Sequence, residues 1–107
     1  MVKVLIKKLN PKAQIPSYKT TGSSGMDLVA LIENAIVISP NKSALIPTGL
    51  AVAIPNDTEI QIRPRSGLAA NSSLTVLNTP GTIDSDYRGE LKVILFNHGE
   101  KEFIVNN

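Results

Sequence analysis

The stretch LAVAIPNDTEIQIRPRSGLAANSSLTVL, residues 50–77, sets the fold class. It opens on an apolar run, Leu50 to Ile54, closed by Pro55. Ile60 and Ile62 then alternate with Glu59, Gln61 and Arg63, the period-two pattern of a strand. Pro64 fixes a corner. Ser66 to Ser72 (SGLAANS) is the one place where Leu and Ala replace β-branched residues, so it reads as a short helix. Leu74 to Leu77 returns to strand-forming residues.

The same pattern extends outward in both directions. Val2, Val4 and Ile6 alternate with Lys3, Leu5 and Lys7, and further β-rich runs lie at Ile36 to Ile38, Leu91 to Phe96 and Glu102 to Val105. Seven prolines and seven glycines are spread so evenly that the longest stretch free of both is 26–39. Interior Pro costs a helix ~3 kcal/mol and Gly ~1 kcal/mol relative to Ala, which leaves little room for helices. Short strands separated by turn residues predict an all-β sandwich or barrel. At 107 residues the chain is expected to be one domain, 1–107. A domain this small buries only about 60–70% of its unfolded surface, so help from partner subunits or a ligand is expected. The strand ending at Val105 is followed only by Asn106 and Asn107. The expectation is an open pairing edge that another chain covers, or a natural protein that continues.

Composition removes several function classes. The chain carries 11 Lys+Arg against 9 Asp+Glu, a net charge of +2, and only 19% charged residues. That argues against a basic nucleic-acid surface and an acidic tail. The absence of Cys excludes thiolate metal sites, the single His98 argues against a histidine-ligated one, and His98 is expected in a surface turn. No apolar run approaches the ~18 residues of a membrane span. The opening MVKVLIKKLN lacks the unbroken apolar core of a signal peptide. A soluble cytoplasmic protein with no membrane or direct nucleic-acid partner is expected, with Lys3, Lys7, Lys8 and Lys12 on a solvated edge.

Three polar islands interrupt the apolar runs. In the first, SGMDLVA at 24–30, Asp27 either makes an Asx-turn into a strand or offers a carboxylate to a hydrated cation. In the second, IRPRSGLA at 62–69, Ser66 either caps the short helix beside two solvated arginines or joins a helix start and a guanidinium in binding phosphate. The third, NTPGTIDSDYRGE at 78–90, is too polar for a plain hairpin turn. Its Gly81 permits close backbone approach, and Asp84 and Asp86 at strand spacing would share a face beside Tyr87, one of four aromatics. A long solvated turn competes there with a site for binding or chemistry.

In order and spacing the islands resemble the first three motifs of the trimeric dUTPases, and IPTGLAVAIP at 46–55 fits the same family. The resemblance covers almost the whole chain and implies a homotrimer of distorted, jelly-roll-like β-barrels with one short helix. It implies Mg²⁺-dependent hydrolysis of dUTP to dUMP and pyrophosphate, which keeps uracil out of DNA, in active sites lying between subunits. Residues 78–90 would form a β-hairpin pocket whose backbone, including Gly81, Thr82 and Ile83, pairs with uracil. Asn78 and the backbone near Lys92 would contact the base. Tyr87 would lie against the deoxyribose and exclude a 2′-hydroxyl. Asp84 would touch the 3′-hydroxyl and act as general base on the attacking water, with Asp86 bracing the hairpin. Arg65, Ser66 and Gly67 of a neighbouring subunit would bind the phosphates, and Asp27 would reach Mg²⁺ through water.

The chain departs from the family pattern in places. Ser24 replaces the usual Ala, and Asn71-Ser72-Ser73 lacks the Gly often found after the short helix. Family members also carry a fourth motif, with a phosphate-binding Gln, and a Gly-rich fifth that closes over the nucleotide. Neither occurs in these residues, so the resemblance also predicts a catalytically impaired dUTP-binding fragment as an alternative. A dCTP deaminase-like enzyme is the nearest rival, but alignment on Gly89 puts apolar Ile94 where that family has its catalytic Glu.

Overall fold

The computed structural model describes residues 2–107. The chain folds as β1 (Leu5–Lys8), β2 (Ile36–Ile38), β3 (Ser43–Pro47), β4 (Leu50–Ala53), β5 (Ile60–Ile62), α1 (Ser66–Ser72), β6 (Leu74–Val76), β7 (Gly81–Ile83), β8 (Lys92–Asn97) and β9 (Phe103–Val105). Among the described residues pairing is antiparallel throughout, in four small sheets: β1–β4, β2–β9, β3–β8–β6 and β5–β7. The result is an all-β, distorted and incompletely closed barrel with one short helix, as the sequence predicts.

The helix falls at the expected residues. With no Gly following it, the helix closes on Ser73 in the left-handed region (φ 55), whose N–H reaches the Ala69 and Leu68 carbonyls. Two strands escaped the reading of local pattern, although the family resemblance implied a hairpin around the second. β3 contains Pro47, but at its last position, where a lost donor ends the ladder rather than breaking it. β7 is a three-residue strand hidden inside the third polar island. The expected N-terminal strand shortens to Leu5–Lys8, the residues that β4 pairs.

Ile38, Ile46, Leu74 and Val105 form the buried centre, with Leu68, Leu95 and Phe103 packed around them. One polar side chain sits in this apolar setting. Asn97 is wholly buried, donating from Nδ2 to the Ile38 and Lys101 carbonyls, both at 2.8 Å, and accepting the Gly99 N–H at 2.8 Å. Its amide thus ties β8 to β2 and to the turn before β9, with every polar group satisfied. His98 is exposed at that turn, its ring against Phe96 with centroids 4.4 Å apart, and the four lysines at 3, 7, 8 and 12 are solvated as expected.

The chain exposes 7398 Å². A monomeric protein of 11.5 kDa is expected to expose roughly 5,800 Å². The excess includes apolar surface, with Leu45, Val37, Ile104 and Leu77 each more than half exposed.

Candidate active site

Sheet register decides where each polar island stands. β6 runs beside β8 (Leu74↔Asn97, Val76↔Leu95), and the Leu77 N–H still donates to the Ile94 carbonyl at 2.8 Å. There the two part. The Thr79 N–H turns back to the Val76 carbonyl at 3.0 Å, Thr79–Pro80 is a cis peptide, and the chain crosses to β7. β7 pairs with β5, Ile60↔Ile83 and Ile62↔Gly81. Asn78 therefore stands at a fork, with β8 on one side and β7 leaving on the other.

Beyond the fork, the head of β8 is paired only on the β3 side among the described residues (Ile46↔Val93, Pro47↔Lys92). Backbone groups alternate sides along a strand, and the Ile94 carbonyl faces β6, so those of Lys92 face the fork, whereas those of Val93 face β3. Backbone groups such as these require partners. A flat ring carrying donors and acceptors along one edge is the kind of ligand this gap suits. Gly81 shapes its other wall. The Asn78 amide lies so close that a Cβ on Gly81 would stand 3.2 Å from Nδ2 and 3.4 Å from Oδ1. Asn78 and Gly81 are thereby brought together, with Thr82 and Ile83 following along β7.

Two expectations for this segment are corrected. Residues 78–90 do not pair with themselves as a hairpin, because Ile60 and Ile62 of β5 give β7 its partner and the returning residues 84–91 are turn and coil. Asp84 and Asp86 do not share a strand face. The Tyr87 N–H bonds to the Asp84 carbonyl at 3.1 Å, closing a turn with Ser85 and Asp86 at its centre. Asp and Ser favour such turns through side-chain contacts with their own backbone.

The loop that follows is folded tightly on itself. The Tyr87 hydroxyl donates to the Glu90 carbonyl at 2.8 Å, and Arg88 Nη1 donates to the Ser85 carbonyl at 2.7 Å. The Tyr87 ring lies down over Gly89, where a Cβ would come within 2.6 Å of the hydroxyl oxygen. The loop exit is clamped to the β3–β4 turn. Gly49 N–H donates to Glu90 Oε2 at 3.1 Å, Leu91 N–H to the Leu50 carbonyl at 2.7 Å, and Thr48 Oγ1 to the Leu91 carbonyl at 2.6 Å. Thr48, Gly49 and Glu90 escaped the sequence reading. The only signal of the first two was a Thr-Gly pair amid apolar residues in IPTGLAVAIP, and Glu90 stood at the end of the third island.

The first and second islands meet within one chain. Arg65 Nε lies 3.7 Å from Asp27 Oδ1, with both side chains substantially solvated. An exposed pair of this length is worth at most about 1 kcal/mol, so either partner is readily given up to a ligand. Arg63 is engaged elsewhere, its Nη2 donating to Gln61 Oε1 at 2.6 Å. Ser66 is not the helix cap. Arg65 occupies that position with no side-chain cap, leaving Ser66 as the first helical residue and the first-turn N–H groups uncapped by side chains. A guanidinium, a hydroxyl and first-turn amides uncapped by side chains at Arg65, Ser66 and Gly67 have the chemistry to hold an anion.

The third island does not join this set. In the β5–β7 ladder Asp84 lies one residue past the Ile60 end, whereas Arg65 lies three residues past the Ile62 end. At ~3.4 Å per extended residue, the two are on the order of 15–20 Å apart, much further than a triphosphate chain reaches. Surface depressions of about 480 Å³ beside Asn10 and Glu33 and of about 320 Å³ beside Leu5 and Arg88 contain none of these residues. Among the described residues no group of three or more His, Cys, Asp or Glu could cage a metal ion, and no helix is long and apolar enough to cross a membrane.

Comparison with known proteins converges on one family. Residues 11–107 match the dUTPase family model. The chain is 57% identical over 100 residues to the deoxyuridine 5′-triphosphate nucleotidohydrolase of Treponema denticola, covering 94% of this chain and 69% of that protein. It is 55% identical over 106 residues to the Rickettsia prowazekii protein of the same name, covering 98% and 72%. Among solved structures, the dUTPase of the S. aureus phage phi11, described with a structural Mg(II) ion, superposes with a TM-score of 0.77 at 26% identity over 91% of this chain and 61% of that one. The Staphylococcus phage 80alpha dUTPase bound to dUpNHpp gives 0.77 at 27%, over 92% and 56%. The chain thus spans about seven-tenths of these curated relatives and about three-fifths of the solved chains.

Proposed function

The chain belongs to the dUTPase family, and from that premise we propose that it supplies the base slot, the general base and the phosphate end of a dUTP diphosphatase. The observation that carries this is the fork at Asn78. A gap flanked by the open head of β8 and by Gly81 receives a planar base by main-chain pairing, as uracil binding requires. Cytosine's exocyclic amine would present a donor where an acceptor is needed, and such mismatches are rejected strongly because buried polar groups are left unpartnered.

Around this slot the remaining residues take the following parts. Tyr87 lies against the deoxyribose, and Asp84 holds the attacking water near the 3′-hydroxyl. The water oxygen forms a bond to the α-phosphorus while its proton passes to the Asp84 carboxylate. The bond from that phosphorus to the bridging oxygen breaks, and pyrophosphate leaves with the electron pair, yielding dUMP. Arg65, the Ser66 hydroxyl and the amides of Ser66 and Gly67 stabilise the phosphate charge in place. Asp27 is one half-exposed carboxylate, a poor cage but a fitting anchor for a hard cation that keeps its waters and binds mostly to substrate oxygens. Mg²⁺, when bound there, would neutralise phosphate charge. The reaction belongs to the cytoplasmic nucleotide pool.

The opposite placement of Asp84 and Arg65 on one ladder supports a site shared between subunits of a homotrimer, each chain one domain (1–107). The surface excess of roughly 1,600 Å² fits this, since two standard interfaces cover about 800 Å² each per subunit. Mixing tests the arrangement. Asp84→Asn and Arg65→Ala chains should each be inactive in pyrophosphate release from dUTP. Co-refolded at equal amounts, they should regain about a quarter of wild-type activity, because a quarter of sites in a cyclic assembly draw both intact residues. No recovery from the mixture would reject the shared site. A wild-type chain that neither binds nor hydrolyses dUTP would reject the function.

A further inference from the structure

We infer that Glu90 is a positioning residue for sugar discrimination: by accepting the Gly49 N–H, its carboxylate fixes the backbone carbonyl on which the Tyr87 hydroxyl rests. The inference rests on the proposed reading of Tyr87 as the ring against the deoxyribose. The bonds inside the loop, Tyr87 N–H to Asp84 and Arg88 Nη1 to Ser85, fix its shape but not its place. Its place is set at the two ends. β7 anchors one end to β5, and the other depends on the clamp at Thr48, Gly49 and Leu50.

Within that clamp, the Glu90 carboxylate is the loop side chain that reaches across. Its bond is part-buried and charge-assisted, which makes it stronger than a neutral one. It also ends on firm ground. Gly49 is buried at φ 71, and its Cα position is hemmed by Leu31 and Ala13. Glu90 thus links a packed turn to the Tyr87 ring through one residue, carboxylate on one side and carbonyl on the other. A ring that excludes a 2′-hydroxyl must be held to well under the size of that hydroxyl, and a tether of this kind provides the tolerance.

The test compares Glu90→Ala with Glu90→Gln in a Tyr18→Phe background, which leaves Tyr87 as the sole tyrosine and changes an exposed residue outside the site. Affinity is titrated for the α,β-imido analogues of dUTP and of UTP with Mg²⁺. Glu90→Ala should narrow the deoxy-over-ribo preference roughly tenfold, whereas Glu90→Gln, whose amide oxygen still accepts the N–H, should stay within about twofold of the parent. A merely structural loss would weaken both ligands together and leave their ratio unchanged. NMR of the ligand-free protein reads the ring directly, because Tyr87 packed on Gly89 must displace the Gly89 Hα resonance. That displacement should persist in Glu90→Gln and collapse in Glu90→Ala. An unaltered preference or an unaltered Gly89 signal in Glu90→Ala overturns the inference while leaving the dUTPase reading intact. A parent protein that binds neither analogue overturns both.

Discussion

Gly49→Ala is expected to be among the most damaging single-methyl additions this chain can suffer. Gly49 has φ 71, and a Cβ built there would stand 2.5 Å from Leu31 Cδ2 and 3.1 Å from the Ala13 Cβ. An L-residue in the left-handed region costs about 1–2 kcal/mol. Forcing a methyl into packed surroundings adds about 1–3 kcal/mol, since Ala13 is buried and a shift of Leu31 must be absorbed by its neighbours. The sum, about 2–5 kcal/mol, is a large part of the ~5–15 kcal/mol that typically holds a domain together. Urea denaturation followed by circular dichroism measures it, with Gly22→Ala as the control because nothing lies within 4 Å of its Cβ position. Gly22→Ala should change stability by less than ~0.5 kcal/mol. Trimming the obstacle with Leu31→Ala in the Gly49→Ala background should return less than the full loss, because the backbone cost remains. A Gly49→Ala protein within ~1 kcal/mol of wild type would show that the turn relaxes freely, and would refute its role as a rigid anchor for the loop exit.

Other substitutions separate fold from site. Asn97→Ala removes three hydrogen bonds of 2.8 Å from a fully buried position and should cost at least ~3 kcal/mol in the same denaturation experiment, as each orphaned buried group costs ~1–3 kcal/mol. Gly81→Ala presses a Cβ to 3.2 Å from Asn78 Nδ2. It should raise the KM for dUTP about tenfold with a stability change under ~1 kcal/mol, because the exposed Asn78 side chain can swing aside at the expense of base contact. Asp84→Asn keeps the turn, which uses the Asp84 carbonyl rather than its side chain. It should bind a non-hydrolysable dUTP analogue nearly as wild type while turnover falls ~100- to 10,000-fold, the usual worth of a general base.

Legibility in the sequence followed the range of the forces involved. Ile60 and Ile62 alternate with polar residues, and the Ser66–Ser72 helix lacks β-branching, so local pattern located β5 and α1. β3 and β7 were obscured for a shared reason. Ser43–Pro47 ends in proline and Gly81–Ile83 begins with glycine, and both are strands because of partners, β8 and β5, that lie far along the chain. The Asp84–Asp86 spacing misled because a two-residue period carries meaning only where the strand continues, and the Asp84–Tyr87 turn ends it. Ser66 has the chemistry of a cap, yet the helix starts one residue earlier than a cap at Ser66 would allow, leaving Arg65 in the extended position (ψ 133). The clamp at Thr48, Gly49 and Glu90 joins residues more than 40 positions apart, Gly49 to Glu90 across 41, and no periodicity announces contacts of that kind.

The β5–β7 ladder also explains why chemistry so legible as motifs fails to assemble within one chain. Register fixes Asp84 at one end and points the chain toward Arg65 at the other, and a ladder cannot bend its two ends together without losing its pairs. Under the proposed function, each chain therefore carries two half-sites facing different ways. Under the proposed trimer, a nucleotide whose base lies in one chain and whose phosphates lie on the next is itself a cross-link between them. Its binding free energy then adds to that of assembly, by about 2.7 kcal/mol per site at a free concentration one hundred times Kd. A chain with roughly 1,600 Å² of surplus surface and an exposed, weakly held Arg65–Asp27 pair is suited to that coupling. In that proposal the surface supplies association, and the ion pair gives up its partners when phosphate and its cation arrive.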